Sequence, residues 1–413
     1  MPEVKKRVET ERARRLGHQL YPFQSRRRRE PAADQCPAID HRGRQSGAGE
    51  HGTGTFRATE EGYPAGFTDS SRFNPLLANV TCMPRDYHSS PVQNWYVSVQ
   101  REFGDGVLLD VAYIGNRAND LLLFANFNQA TPNDAAGSIP LQNRRPIPQF
   151  GDITYAFNGG KSRYHGVQTK FDWRMSRDVT VLSSLTISRS KDNGAGSLEG
   201  PNGDAPAPQD FRNLDADFAL SAYHQPYNST TSFVWSLPFG RDRRWGGSLP
   251  AALEALAGGW QIAGINSFYP GELVNLRYNP AATFIVSGIA QDFRGANTFR
   301  PNVTGDPYAS EDERSITNWF NKNAVALPTD PSQPFGNAER NSVRGPRFWQ
   351  IDLAASKRLS LGAAAIELRF EAFNLLNRTN FRAPQGNRSD PAFGVITATY
   401  DPRQMQLGVK LLW

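Results

Sequence analysis

The sequence predicts an all-β fold, an antiparallel up-and-down transmembrane β-barrel, here partial with about nine or ten strands, with long extracellular loops and a disordered N-terminal arm. Three observations predict it. Period-two hydrophobic alternation recurs from residue 92 to the last residue, which puts every second side chain on one face of an extended strand. Connections between these segments alternate short and long, so the long ones all fall at one end of an up-and-down sheet. Six of the eight tryptophans sit within a few residues of a strand end, where an indole can keep its ring in lipid and its N–H in the headgroup layer.

Taken in order, residues 1–60 read as a basic arm. Residues 1–58 hold 13 Lys or Arg and 7 Asp or Glu, which accounts for the whole net charge of +6; the remaining 355 residues hold 33 of each. The run Arg26 to Arg29, followed by Pro31 and Pro37, has neither a strand period nor a helical one, so the arm is expected to be solvated and unstructured. A basic run without interleaved aromatics does not specify nucleic acid, and no nucleic-acid partner is expected. Residues 61–91 read as a loop leading into the barrel, and 92–413 as barrel.

In the first strand Trp95, Val97 and Val99 alternate with Asn94, Tyr96, Ser98 and Gln100. Val107, Leu109, Val111 and Tyr113 then share one face, as do Val167, Thr169, Phe171 and Trp173. Val179, Val181, Leu185 and Ile187 follow, then Phe233, Trp235 and Leu237, and a weaker strand from Trp260 to Tyr269. Ile351 and Leu353 oppose Asp352; Ile366, Leu368, Phe370 and Ala372 oppose Glu367, Arg369 and Glu371; Met405, Leu407, Val409, Leu411 and Trp413 close the chain. That makes nine strands, each near the roughly 9 to 11 residues that cross a membrane with tilt. The long connections are expected at 125–163, 190–226, 270–348 and 375–403, and the short ones at 104–106, 175–178 and 360–363, with a medium one at 238–259. A soluble sandwich has no reason to sort its loops by end, whereas an outer-membrane barrel does.

Composition closes off other classes. With 38% apolar residues among 413 the chain is too apolar for general disorder, and its 36 Gly and 29 Pro make it rich in turns. The longest apolar run, 121–125, is far short of the about 20 residues of a membrane helix. Two cysteines, Cys36 and Cys82, make neither a disulfide framework nor a four-ligand zinc site. Six histidines never fall at i, i+4, and no Walker, Rossmann or nucleophile-elbow motif occurs. No catalytic residue, cofactor or metal is therefore expected, and the chain does not read as an enzyme. Asp210, Asp215 and Asp217 lack EF-hand spacing and read as solvated loop acids. Glu367, Arg369 and Glu371 read as a lumen-facing row that pairs across strands.

The last eight residues, QLGVKLLW, resemble the C-terminal signal of bacterial outer-membrane barrels, with Gln406, Gly408, Leu411 and Trp413 at the four defined places. The resemblance implies recognition by the barrel assembly machinery. More broadly, residues 62–413 resemble the barrel half of TonB-dependent transporters of the Oar-like group. The matching pieces are NWYVSVQREF (94–103), LLDVAYIGNRANDLL (108–122), GWQIAGINSFYPGE (259–272), FGNAERNSVRGPRFWQIDLAASK (335–357), RFEAFNLLNRTNF (369–381) and DPRQMQLGVKLLW (401–413). No signal peptide, TonB box or plug is recognisable, and nine strands is an odd count where bacterial single-chain barrels have an even one. The expectation is a truncated gene product whose arm is translated from another frame.

By that resemblance the function is ligand uptake across the bacterial outer membrane, with lipid, the assembly machinery and an unknown ligand as partners, and the TonB system only if the missing N-terminal part is present. Trp95, Trp173, Trp235, Trp260, Trp349 and Trp413 are the expected aromatic girdle. The rival is a secreted β-rich adhesin or carbohydrate-binding module, stacking sugars on Tyr308, Trp319 and Phe320.

Overall fold

The computed structural model describes residues 38–39, 74–78, 80–104, 106–194, 196–197, 200–201, 208–241, 243–279, 299–362 and 364–413. The basic arm lies outside them apart from the short strand Ala38–Ile39. Among the described residues nine long strands carry the fold: β1 Val92–Phe103, β2 Val107–Asn126, β3 Ile153–Arg174, β4 Val179–Asp192, β5 Tyr227–Ser236, β6 Trp260–Tyr269, β7 Phe348–Leu361, β8 Ala364–Phe373 and β9 Gln404–Leu412. Each pairs antiparallel with the next in sequence. Among the described residues β1 pairs only with β2 and β9 only with β8, so the sheet is open.

The ladder register turns local alternation into one continuous surface. Directly paired residues share a face. One row runs Val107, Trp173, Val181, Phe233, Gly264, Leu353, Ala372, Met405; another runs Val179, Trp235, Ile262, Ala355, Phe370, Leu407. The opposite face carries rows such as Asp110, Lys170, Ser184, Thr230, Ser267, Gln350. Two glycines on the apolar face make room for rings: a Cβ at Gly115 would overlap the indole of Trp95, and one at Gly264 the ring of Phe233.

Among the described residues no second layer covers the apolar face. Leu407 is 84% and Val409 75% exposed, and Val97, Val99, Ile187 and Met405 are exposed with them. A contiguous apolar surface of this size is a lipid or protein interface. The one α-helix among the described residues, α1 Ala251–Ala257, has seven residues and sits in the β5–β6 connection.

The loops sort by end. One rim carries the connections 104–106, 175–178, 237–259 and 362–363; the other carries 127–152, 193–226, 270–347 and 374–403. Two strands depart from expectation. β2 and β3 have 20 and 22 residues, about twice what crosses a bilayer, because a pair of register shifts between Ala118 and Leu122 lets the hairpin run on beyond the membrane span. Asp120, at φ 54°, sits in this bulge. The expected loop 125–163 therefore shrinks to 127–152. The segment leading into the barrel also contains a strand, Val80–Cys82, parallel to Ile153–Tyr155 at the start of β3.

Candidate functional site

The described residues of the four long connections form a cap, with a core drawn from the last two. Val274, Leu276, Phe320, Val325, Val343 and Phe393 pack together fully buried or nearly so, and Tyr278 and Phe299 form a second cluster. Buried polar groups tie the loops to one another. Arg300 meets Asp217 at 2.5 Å and donates from Nε to the Ala338 carbonyl at 2.7 Å. Arg340 pairs with Asp192 at 3.0 Å and donates to the Asp217 carbonyl at 2.8 Å. Gln129 donates to the Gln209 carbonyl and accepts from the Phe211 N–H. Trp319 and Ile396 donate backbone N–H groups to Gly394 and Ile316 across the last two loops. Removing one member of such a buried pair leaves a charge without water or partner, which is why these contacts fix the loops in place.

Where the cap meets the polar face of the sheet, a cavity of about 540 Å³ opens at the mouth, its lining including Tyr223, His224, Tyr269, Glu272, Arg344 and Tyr400. Tyr269, on the opposite parity from Phe268 of the apolar face, stacks on Phe348 with ring centres 4.3 Å apart. Glu272 accepts from the Tyr400 hydroxyl at 2.7 Å, from Arg382 at 3.0 Å and from the Ala383 N–H at 3.2 Å. Burial pushes the Glu272 carboxyl up, but these three donors outweigh it and hold it below the usual value. The Tyr400 hydroxyl is pushed up to about 12, first by burial and then by the hydrogen bond to Glu272.

His224 is pushed down to about 4, first by burial and then by Arg344 and Arg189. Its Nδ1 accepts from the Ser190 N–H at 3.2 Å, so the neutral ring is the form the site holds. Arg344 donates to the carbonyls of Gly271 and His224, both at 3.0 Å. Among the described residues no carboxylate pairs with it, so the wall sets the Arg344 cation, open to an accepting group, apart from the Glu272 carboxylate that Arg382 and Tyr400 already engage.

The candidate residues fall as follows. Gln406, Gly408 and Leu411 lie on edge strand β9, opposite Glu371, Arg369 and Ile366, and Trp413 just beyond it is 95% exposed. Gln406 donates to Glu371. Trp173, Trp235 and Trp260 lie near the short-turn rim, Trp95 and Trp349 toward the long-loop rim, all in register with the apolar face. Glu367 pairs in register with Arg358 and Lys410, while Arg369 bonds Glu371 along its own strand at 2.7 Å.

Two expectations are corrected. Asp217 is not a solvated loop acid; Arg300 holds it inside the cap. The proposed sugar-stacking platform does not exist as a surface. Phe320 is fully buried, the Trp319 indole N–H donates to the Arg344 carbonyl and the Tyr308 hydroxyl accepts the Arg344 N–H, because these loops bury aromatics in their own core. Nothing local in the sequence brings His224, Glu272 and Tyr400 together, since they come from three loops; only the YPGE run holding Glu272 carries any signal.

An open antiparallel meander with one uncovered apolar face, one polar face and its long loops on a single rim defines a membrane β-barrel wall. The sequence profile of the family described as "Outer membrane beta barrel domain" matches residues 21–406, and the chain belongs to that family and to the bacterial outer membrane. No curated protein matches. Similar solved structures include the outer membrane transporter YddB from Escherichia coli, at 14% identity and TM-score 0.41 over 81% of this chain and 34% of that one. The FrpB iron transporter from Neisseria meningitidis is similar at 12% identity and TM-score 0.36, over 81% and 33%. The ferric citrate transporter FecA in the unliganded form is similar at 11% identity and TM-score 0.35, over 78% and 31%. The chain thus spans about a third of the length of these structures.

Proposed function

We propose that this chain is the C-terminal barrel portion of a TonB-dependent outer-membrane receptor of the Oar-like group, working in ligand uptake. The observation that carries the reading is the cavity of about 540 Å³ where the interlocked cap meets the polar face of the sheet. A ligand arriving from outside meets rigid loops there, with the unpaired cation of Arg344 and the rings of Tyr223 and Tyr269 as its first contacts. Trp95, Trp173, Trp235, Trp260, Trp349 and Trp413 serve as interface anchors in this reading, and Gln406, Gly408, Leu411 and Trp413 as the strand presented to the assembly machinery. The open edges of β1 and β9 are where preceding strands of the same receptor would close the barrel, since unpaired backbone is not tolerated in hydrocarbon. Energy coupling belongs to a plug and TonB box.

Two measurements test it. The chain stays with the membrane after a high-salt wash and comes off only in detergent; release by salt sinks the membrane placement. The DNA before the first codon encodes a plug and earlier strands in some frame; finding neither sinks the receptor reading and leaves the barrel intact.

A further inference from the structure

The same rim carries a second cavity, about 520 Å³, on the other side of the sheet. It is lined by Ser229, Asn266, Phe268, Arg347, Trp349 and Arg378. Ser229, Phe268 and Trp349 form one row of the apolar face, and Asn266 lies one pair below Phe268 on that face. Its floor is two aromatic rings that the register turns toward lipid. Its polar groups stand at the long-loop end, where the leaflet facing outward has its headgroups. The Trp349 indole N–H donates to Asn266 Oδ1 at 2.7 Å, and the Arg378 guanidinium stands 5.4 Å from the centre of the Trp349 ring. Among the described residues neither Arg347 nor Arg378 has a carboxylate partner, and no acid lines the cavity.

We infer that this cavity binds the phosphorylated headgroup of an outer-leaflet lipid. Two unpaired guanidinium groups offer the planar donor pairs that match phosphate oxygens. Phe268 and Trp349 give the first acyl carbons an apolar seat. A free anion would use the arginines and leave that seat empty, whereas a lipid uses both. The inference rests on the outer-membrane placement and stands whether or not the chain takes part in ligand uptake.

The test uses the full chain in phosphatidylcholine nanodiscs doped with lipid A bearing both phosphates, or with the same lipid stripped of them, and retained lipid is counted by mass spectrometry. The phosphorylated form is enriched about tenfold over the stripped form. The double variant Arg347→Ala/Arg378→Ala loses that preference, while Arg347→Lys/Arg378→Lys keeps part of it. Equal retention of the two lipids by the unaltered chain overturns the inference without any variant, as does a double variant that keeps the full preference. Millimolar inorganic phosphate leaves the lipid in place; displacement by it assigns the site to the free ion and overturns the lipid.

Discussion

The loop cap and the sheet below it obey opposite rules in one chain. In the cap, Phe320, Leu276 and Val343 are inside and the buried charges of Arg300 and Arg340 are paired with Asp217 and Asp192, as in a water-soluble domain. In the sheet, Val97, Leu407 and Val409 are outside and Asp110, Lys170 and Glu371 are on the other face. Apolar groups here are buried from water in two different ways. The cap hides apolar groups from water with protein, and the sheet hides them with lipid, so the same substitution has different effects on the two sides of the rim.

The contrast can be broken most severely in the cap's ion pairs. Asp217→Ala strands the Arg300 guanidinium in a closed interior and is expected to destabilise the cap by about 3–5 kcal/mol. Hydrogen exchange would show the loops 193–226 and 270–347 opening while the β4–β5 ladder stays protected; uniform loss in both would mean that the two regions are not separate. Phe320→Ala, by emptying the cap's core, is expected to cost about 3–5 kcal/mol at most, in the same amides.

Charge on the sheet gives the next effect. Leu353→Arg puts a guanidinium on the apolar face and costs about 2–4 kcal/mol if that face meets hydrocarbon at mid-depth. Ser356→Arg, on the polar face, stays within about 0.5 kcal/mol. Folding yield into vesicles distinguishes them, and equal yields would sink the assignment of faces.

Acid gives a third. His224 has a folded pKa below its unfolded one, so the unfolded chain takes up its proton first as pH falls. Its contribution to cap stability is whole above about 6.5 and is lost between there and about 4. Glu272, also held low, loses its contribution only below the ordinary carboxylate value of 4.5. His224→Gln should flatten the upper window and leave the lower one; a cap whose protease resistance is level from pH 7 to 5 would contradict this. The smallest effect belongs to the exposed pair Lys161–Asp215 at 3.2 Å, where Lys161→Ala is expected to change stability by less than about 1 kcal/mol.

What could be read from sequence divides along the same line. The apolar face was legible because period two is a local property: Val107, Leu109 and Val111 need only each other to reveal it, and the ladder then adds the rows. Loop sorting was legible from lengths alone. The cap was not. Asp217 and Arg300 stand 83 residues apart, and nothing near either marks the other as its partner. Trp319 and Phe320 looked exposed because they lie in a loop, and a loop this long folds a core that spacing cannot show. The extension of β2 and β3 is not legible because the strand pattern breaks at Asn119 and Asp120, where a bulge carries the ladder through what reads as its end.

That bulge also resets the phase of the hairpin. Below it in β2 the odd-numbered Val111, Tyr113 and Arg117 are the exposed ones; above it the exposed position is Leu122, while Leu123 and Ala125 are buried. One inserted residue thus works as a half-turn coupling between a shaft that must be greasy outside and a tip that must be greasy inside. Shortening β2 by one residue at Asp120 would leave the matching irregularity in β3 without its counterpart and rotate the tip's oily side into water, a change of orientation with no change of composition.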